Sequence, residues 1–154
     1  MSHFTEVAVE FDQKHEKIFI SALEEVFGQG NVEFHADASL ENRASHLFGF
    51  SGDNRSVRLP GDSDYAPPCH VIIRRKHVGA LANDIGYRRA ENGKYTAYIS
   101  EYDARSTFPV KKREKVAQNY AVQVAEKELR TKGYTTSRQV LENGAIRVTG
   151  TTYG

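Results

Sequence analysis

Cysteine occurs once in these 154 residues, as Cys69, so an internal disulfide is excluded and the chain suits a reducing compartment. No apolar run comes near the roughly 18 residues that a helical membrane span requires. The first thirty residues carry acidic side chains and lack the basic-then-apolar order of a secretory signal, which points to a cytoplasmic protein. Neither sign of charge prevails: 21 Lys and Arg stand against 20 Asp and Glu, for a net charge of +1. That balance argues against a domain built chiefly to neutralise phosphates. There is no Walker loop, no Rossmann glycine fingerprint and no GxSxG elbow, so the usual signals of nucleotide hydrolysis, nicotinamide chemistry and α/β-hydrolase chemistry are missing. The six histidines, at 3, 15, 35, 46, 70 and 77, show neither HxxxH nor HExxH spacing, and no metal or other cofactor is expected.

What is present is the composition of a globular domain, 39% hydrophobic and 27% charged, in a chain long enough for one core. A single domain over residues 1–154 is therefore expected. The charge is lopsided: residues 1–64 hold 12 acids and 5 Lys or Arg, and residues 65–154 hold 8 acids and 16 Lys or Arg. Such polarity marks either a partner surface or two segments that neutralise each other by packing side by side.

Val7, Val9 and Phe11 alternate with Glu6, Ala8 and Glu10, the period-two pattern of a strand with one buried face. Asp12 can then cap a helix whose apolar positions, Ile18, Phe19, Ala22, Leu23, Val26 and Phe27, recur at three- and four-residue spacing until Gly28. Short strands are expected at Val32–His35 and from His46 through Phe48 and Phe50. The stretch Ser51–Pro68, rich in Gly, Ser, Asp, Asn and Pro, reads as a long, loose loop insertion suited to partner contacts. A strand from His70 runs into Arg74, Arg75, Lys76 and His77. Strands Ile85–Arg89 and Lys94–Tyr102 follow, joined at Asn92-Gly93, a pair that favours a tight hairpin turn. Alternation puts Tyr95, Ala97 and Ile99 on one face and Lys94, Thr96, Tyr98, Ser100 and Tyr102 on the other. Thr107, before Phe108-Pro109, opens a long helix with an apolar stripe of Val116, Ala117, Tyr120, Ala121, Val124 and Leu129, ended by Lys132-Gly133. A second hairpin, Thr135–Leu141 with Ala145–Thr151, turns at Asn143-Gly144. The expected class is α+β: a mostly antiparallel sheet with two helices packed on one face.

Several segments, in order along the chain, carry a resemblance: Met1-Ser2-His3-Phe4, Asp84-Ile85-Gly86-Tyr87, Gln118-Asn119-Tyr120-Ala121, and Gly133-Tyr134 with Asn143-Gly144-Ala145-Ile146-Arg147. Together they resemble the hypothetical chloroplast reading frame thirty-five family of cyanobacteria, plastids, other bacteria and phages. The chain departs from that pattern at Asp53–Pro68, Tyr87 and Asn119. The resemblance implies a cytosolic or stromal protein with an AAA+ ATPase as the suspected partner, and it implies no catalytic residue.

Three functions compete on the residues themselves. The sheet face expected to carry Arg88, Lys94, Tyr98 and Tyr102, flanked by Arg74, Arg75 and Lys76, suits a protein partner, because Tyr and Arg are favoured interface anchors. It also suits RNA or single-stranded DNA through stacking and phosphate neutralisation, or it is simply covered or solvated. A small metal-assisted or cysteine hydrolase would need His3, Cys69, His70 and Asp84 to converge, although adjacent Cys69 and His70 on a strand point to opposite faces. A non-enzymatic interaction or accessory module is the expectation.

Overall fold

The computed structural model describes residues 4–152, with side chains from residue 10 onward. Its main sheet has five antiparallel strands in the order β1-β5-β4-β3-β2, formed by β1 (Phe4–Asp12), β2 (Val32–Phe34), β3 (Val71–Ile73), β4 (Ile85–Arg89) and β5 (Lys94–Ser100). Two longer helices, α1 (Glu16–Phe27) and α4 (Val110–Thr131), cover one face. The short helices α2 (Arg75–Val78) and α3 (Glu101–Arg105) lie at the ends of strands. The α+β class, the antiparallel sheet and the helix layer are as the periodicity implies. Among the described residues, no helix is long and apolar enough to cross a membrane.

The helix-covered face is an aromatic core. Phe19 of α1 is fully buried, its ring 4.3 Å from that of Phe11 and about 5 Å from those of Tyr87 and Tyr95. Val71, Ile73, Ile85, Ala97 and Ile99 complete the sheet side, and Phe108 and Val116 close it from the α4 side. Burying a side chain of this size contributes roughly 1.5–3 kcal/mol, which is why the spacing of α1 and the alternation of β5 were legible. The α4 stripe is rotated from expectation. Val116, Asn119, Val122 and Glu126 are buried, whereas Ala117 and Ala121 are exposed. Glu126 tolerates burial because Arg138 grips it through two hydrogen bonds of 2.6 and 2.8 Å, which hold its carboxyl below the usual range.

Arg138 belongs to β6 (Thr135–Val140), which pairs only with β7 (Ile146–Thr151) in a two-stranded ribbon. The ribbon lies along α4, with Gly144 at its tip accepting from Gln118 and Gly150 near its base close to Leu129 and Tyr134. The second hairpin was expected, and its separation from the main sheet was not.

Four expectations are corrected. The segment from His46 to Phe50 is not a strand: Phe48 makes one isolated bridge to Asn54. Its amides are taken by side chains instead, Phe48 N–H donating to Asp84 Oδ2 and Phe50 N–H to Asn83 Oδ1. Ser51–Pro68 is not loose. Arg55, 5% exposed, lies between Asp53 and Asp64 at 2.8 and 3.1 Å, and Ala66 through Cys69 are buried. Strand β5 stops at Ser100, whose hydroxyl accepts from Asp103 N–H and so caps α3, which moves Tyr102 from the sheet onto a helix. Thr107 does not open α4; its hydroxyl donates to Asp103 Oδ1, and α4 begins at Val110 after Pro109.

The lopsided charge is partly cancelled inside the molecule. Glu33 pairs with Arg74, Glu16 with Arg89 and Asp12 with Lys94, each joining the acidic segment to the basic one.

Candidate partner-binding site

The sheet has a second face, and the segment between β2 and β3 lies over much of it. Leu47, Ala66, Cys69 and Ile72 form a small buried cluster there, with Tyr98 packed against it. Gly86 is the closest approach: a Cβ at this position would sit 2.6 Å from Cys69 Sγ and 2.8 Å from Leu47 Cδ1. Only glycine lets the excursion press this closely on β4.

The excursion is tied down at its far end by a polar network. Asp84 accepts from Phe48 N–H, Arg75 N–H and Arg74 Nη1, at 2.9, 2.8 and 2.9 Å. Arg74 also makes a bidentate pair with Glu33 and donates to the carbonyls of His46 and Ala44. Burial would raise the Glu33 carboxyl, but hydrogen bonds from Arg74 and His35 outweigh it and hold the group below its ordinary value. Burial likewise pulls Arg74 down while Glu33 and Asp84 raise it further, so both partners are fixed in their charged forms. Beside this knot, Asp103 accepts from Asn83, Ser100 and Thr107.

The seven expected contact residues divide into two groups. Arg74, Arg75, Lys76 and Tyr102 lie toward the end of the sheet where α2 and α3 begin, and Arg74 is a structural tie within it. Arg75 uses its backbone N–H on Asp84 and holds its guanidinium 6.0 Å from the Phe50 ring. Lys76 is exposed and Tyr102 half-buried. Toward the β4–β5 turn, Lys94 pairs with Asp12 at 3.2 Å. Tyr98 is half-buried against the second cluster. The expectation of one open basic-aromatic face is therefore corrected, because the excursion occupies its middle.

Among the described residues, one depression of about 180 Å³ on the sheet is lined by Arg88, Arg89, Ala90, Thr96 and Tyr98. Arg88 gives it its chemistry. A single nitrogen, Nη1, donates to the carbonyls of Ala38 and Pro68 at 2.9 and 2.7 Å. Those bonds orient the guanidinium, while among the described residues Nε and Nη2 meet no protein acceptor and no carboxylate neutralises the charge. The Nε–Nη2 edge is the side of the fork that engages a carboxylate or phosphate in two parallel bonds. Around it, Arg89 is neutralised by Glu16 at 2.7 Å. His70 Nδ1 accepts from Arg89 N–H, and burial together with the Arg89 and Arg88 charges pushes its pKa down to about 4, leaving the ring neutral. Burial raises the Tyr65 hydroxyl against the opposing pull of the Arg88 charge. The sequence named Arg88, Lys94 and Tyr98 as contacts and set Thr96 on the same face without naming it a contact. Thr96 follows from the same alternation that gave Tyr98.

Among the described residues, the hydrolase constellation does not assemble. Cys69 is fully buried, its thiol donates to the Pro67 carbonyl, and burial pushes its pKa far up. The His70 Nδ1 lone pair is spent on a backbone amide and both Asp84 oxygens are occupied. His3 lies outside the described residues. Among the described residues, no cluster of three His, Cys, Asp or Glu side chains could hold a metal ion. No family model, curated protein or solved structure matches the chain.

Proposed function

We propose that this chain is a non-enzymatic protein-interaction module that receives a carboxylate-bearing segment of a protein partner at Arg88, with Thr96 and Tyr98 beside it. The observation that carries the reading is the half-used guanidinium, anchored by two backbone carbonyls through one nitrogen, in a residue that lines an open depression. An accessory role beside an AAA+ ATPase is the partner suggested by the family resemblance, and such a partner would dock through an acidic loop or terminus. The nucleic-acid reading has less support here, because stacking needs an accessible ring face and Tyr98 is packed against Leu47, Ala66, Cys69 and Ile72.

The test is a titration followed by amide chemical shifts, using an acidic peptide in one series and a single-stranded oligonucleotide in the other. Saturable shifts confined to Arg88, Thr96 and Tyr98 with the peptide, lost in Arg88→Lys, are the expected result, since lysine keeps the charge but not the fork. Oligonucleotide binding that weakens steeply with salt would move the assignment to nucleic acid. If neither ligand perturbs these amides, Arg88 is not a recognition site.

A further inference from the structure

On the other side of the sheet, at the β1 edge, the surface is of a different kind. Strand β1 is the longest of the five, pairs with β5 on one side only, and has no strand neighbour on the other among the described residues. An unpaired edge presents a row of backbone donors and acceptors, which proteins cover or pair. Beside this edge runs a groove of about 450 Å³ between the sheet and α4, lined by Phe11, Tyr87, Ile99, Phe108, Val116 and Tyr120. Its outer wall on α4 is made by Ala117 and Ala121, one helical turn apart, exposed and small enough to let another backbone approach.

The two charged residues of the groove stand at opposite ends. Arg113 donates to the carbonyls of Phe108 and Ala104, which follow the end of β5 at Ser100, the partner of Phe4. Tyr120 accepts from Asp12 N–H through its hydroxyl, so α4 runs in the same direction as β1. Arg113 is thus at the Phe4 end, whereas Glu10, where the register shifts between Val9 and Asp12, is near the other. Glu10 is exposed, and among the described residues neither group has an ion-pair partner. A singly charged amphiphile would satisfy one end and leave the other opposed.

We infer that this edge and groove take a second copy of the chain, β1 pairing antiparallel with its equivalent across a two-fold axis. That arrangement brings the Glu10 end of each copy to the Arg113 end of the other, so the charges are complementary twice over, as an isologous contact requires. It joins the two sheets into one and sets the α4 helices side by side through Ala117 and Ala121. Nine residues of strand extend about 30 Å, a length that with the helix flank suits the smaller specific interfaces.

Sedimentation of the full chain at micromolar concentration tests it. The wild type is expected to be a dimer, and Ala121→Arg, on an exposed helix position, to raise the dimer dissociation constant by at least about tenfold. Glu10→Arg and Arg113→Glu should each weaken association, and the double exchange should recover most of the loss. Because Arg113 also ties α4 to α3, circular dichroism checks each variant, and Glu10→Arg with Ala121→Arg suffices if Arg113→Glu unfolds. A monomeric wild type, a dimer indifferent to Ala121→Arg, or a monomer carrying a small molecule by native mass spectrometry would overturn the inference.

Discussion

The two faces of the main sheet are covered by different means. On the helix side, Phe11, Phe19, Tyr87 and Tyr95 interlock with aliphatic strand residues, and the cover follows from the apolar period of α1. On the other side a few apolar residues suffice, because the excursion between β2 and β3 is fastened by Arg74, Glu33, Asp84 and Asn83. Apolar packing is non-directional and spread over many residues. Polar fastening is directional and concentrated in few, and its failure leaves charges buried without partners. The first face should therefore lose stability globally when damaged, and the second should come loose locally.

The largest expected effect is that of Phe19→Ala, which empties the centre of the aromatic cluster and should cost about 3–5 kcal/mol in urea unfolding. Hydrogen exchange should then accelerate for both faces together; loss confined to α1 would break the contrast. Asp84→Ala is next, at about 3 kcal/mol, since it removes the acceptor of two backbone amides and leaves Arg74 with Glu33 alone. Here the amides of Phe48 and Arg75 should lose protection while those of Leu23 and Val116 keep it. If all four exchange together, the two covers are one cooperative unit.

Gly86→Ala should follow, at about 1–3 kcal/mol from overpacking against Cys69 and Leu47. Adding Cys69→Ala should return part of that loss, and a strictly additive pair would deny that the sulfur is what the new methyl meets. At neutral pH the smallest effect is that of His70, which emerges only in acid. His70 has a folded pKa near 4, below its ordinary 6.5, so the unfolded chain binds more protons between those values and stability falls as pH drops through that window. His70→Gln should flatten the slope between pH 6.5 and 4. It should spare the further loss at lower pH, where Glu33 and Glu126, held below their ordinary values by Arg74 and Arg138, take up protons.

Much of the helix side was legible in the sequence. Phe19, Ala22, Leu23 and Phe27 share one face of α1 by spacing alone, and Tyr95, Ala97 and Ile99 alternate inward as expected. Both Asn-Gly hairpins form. The site was legible only in part. Arg88, Lys94, Thr96 and Tyr98 do alternate away from the helices, yet Arg74 looked like a surface cation and is a fastener. Its partners Glu33 and Asp84 are 41 and 10 residues away, beyond the reach of any local pattern. Glu126 was missed as a buried position for a similar reason. A carboxylate inside a helix reads as solvent-facing until a donor from another element, here Arg138 of β6, reaches it.

The sequence by itself determined which way each side chain of a strand or helix points, because backbone geometry repeats every two or 3.6 residues and needs no distant information. Only the tertiary structure decided what lies above those side chains: that Ser45 through Cys69 folds back over β4, that Gly86 admits Cys69, and that β1 is left at an edge. Such contacts join residues far apart in the chain, and their selection depends on the fit of whole surfaces rather than on any local preference.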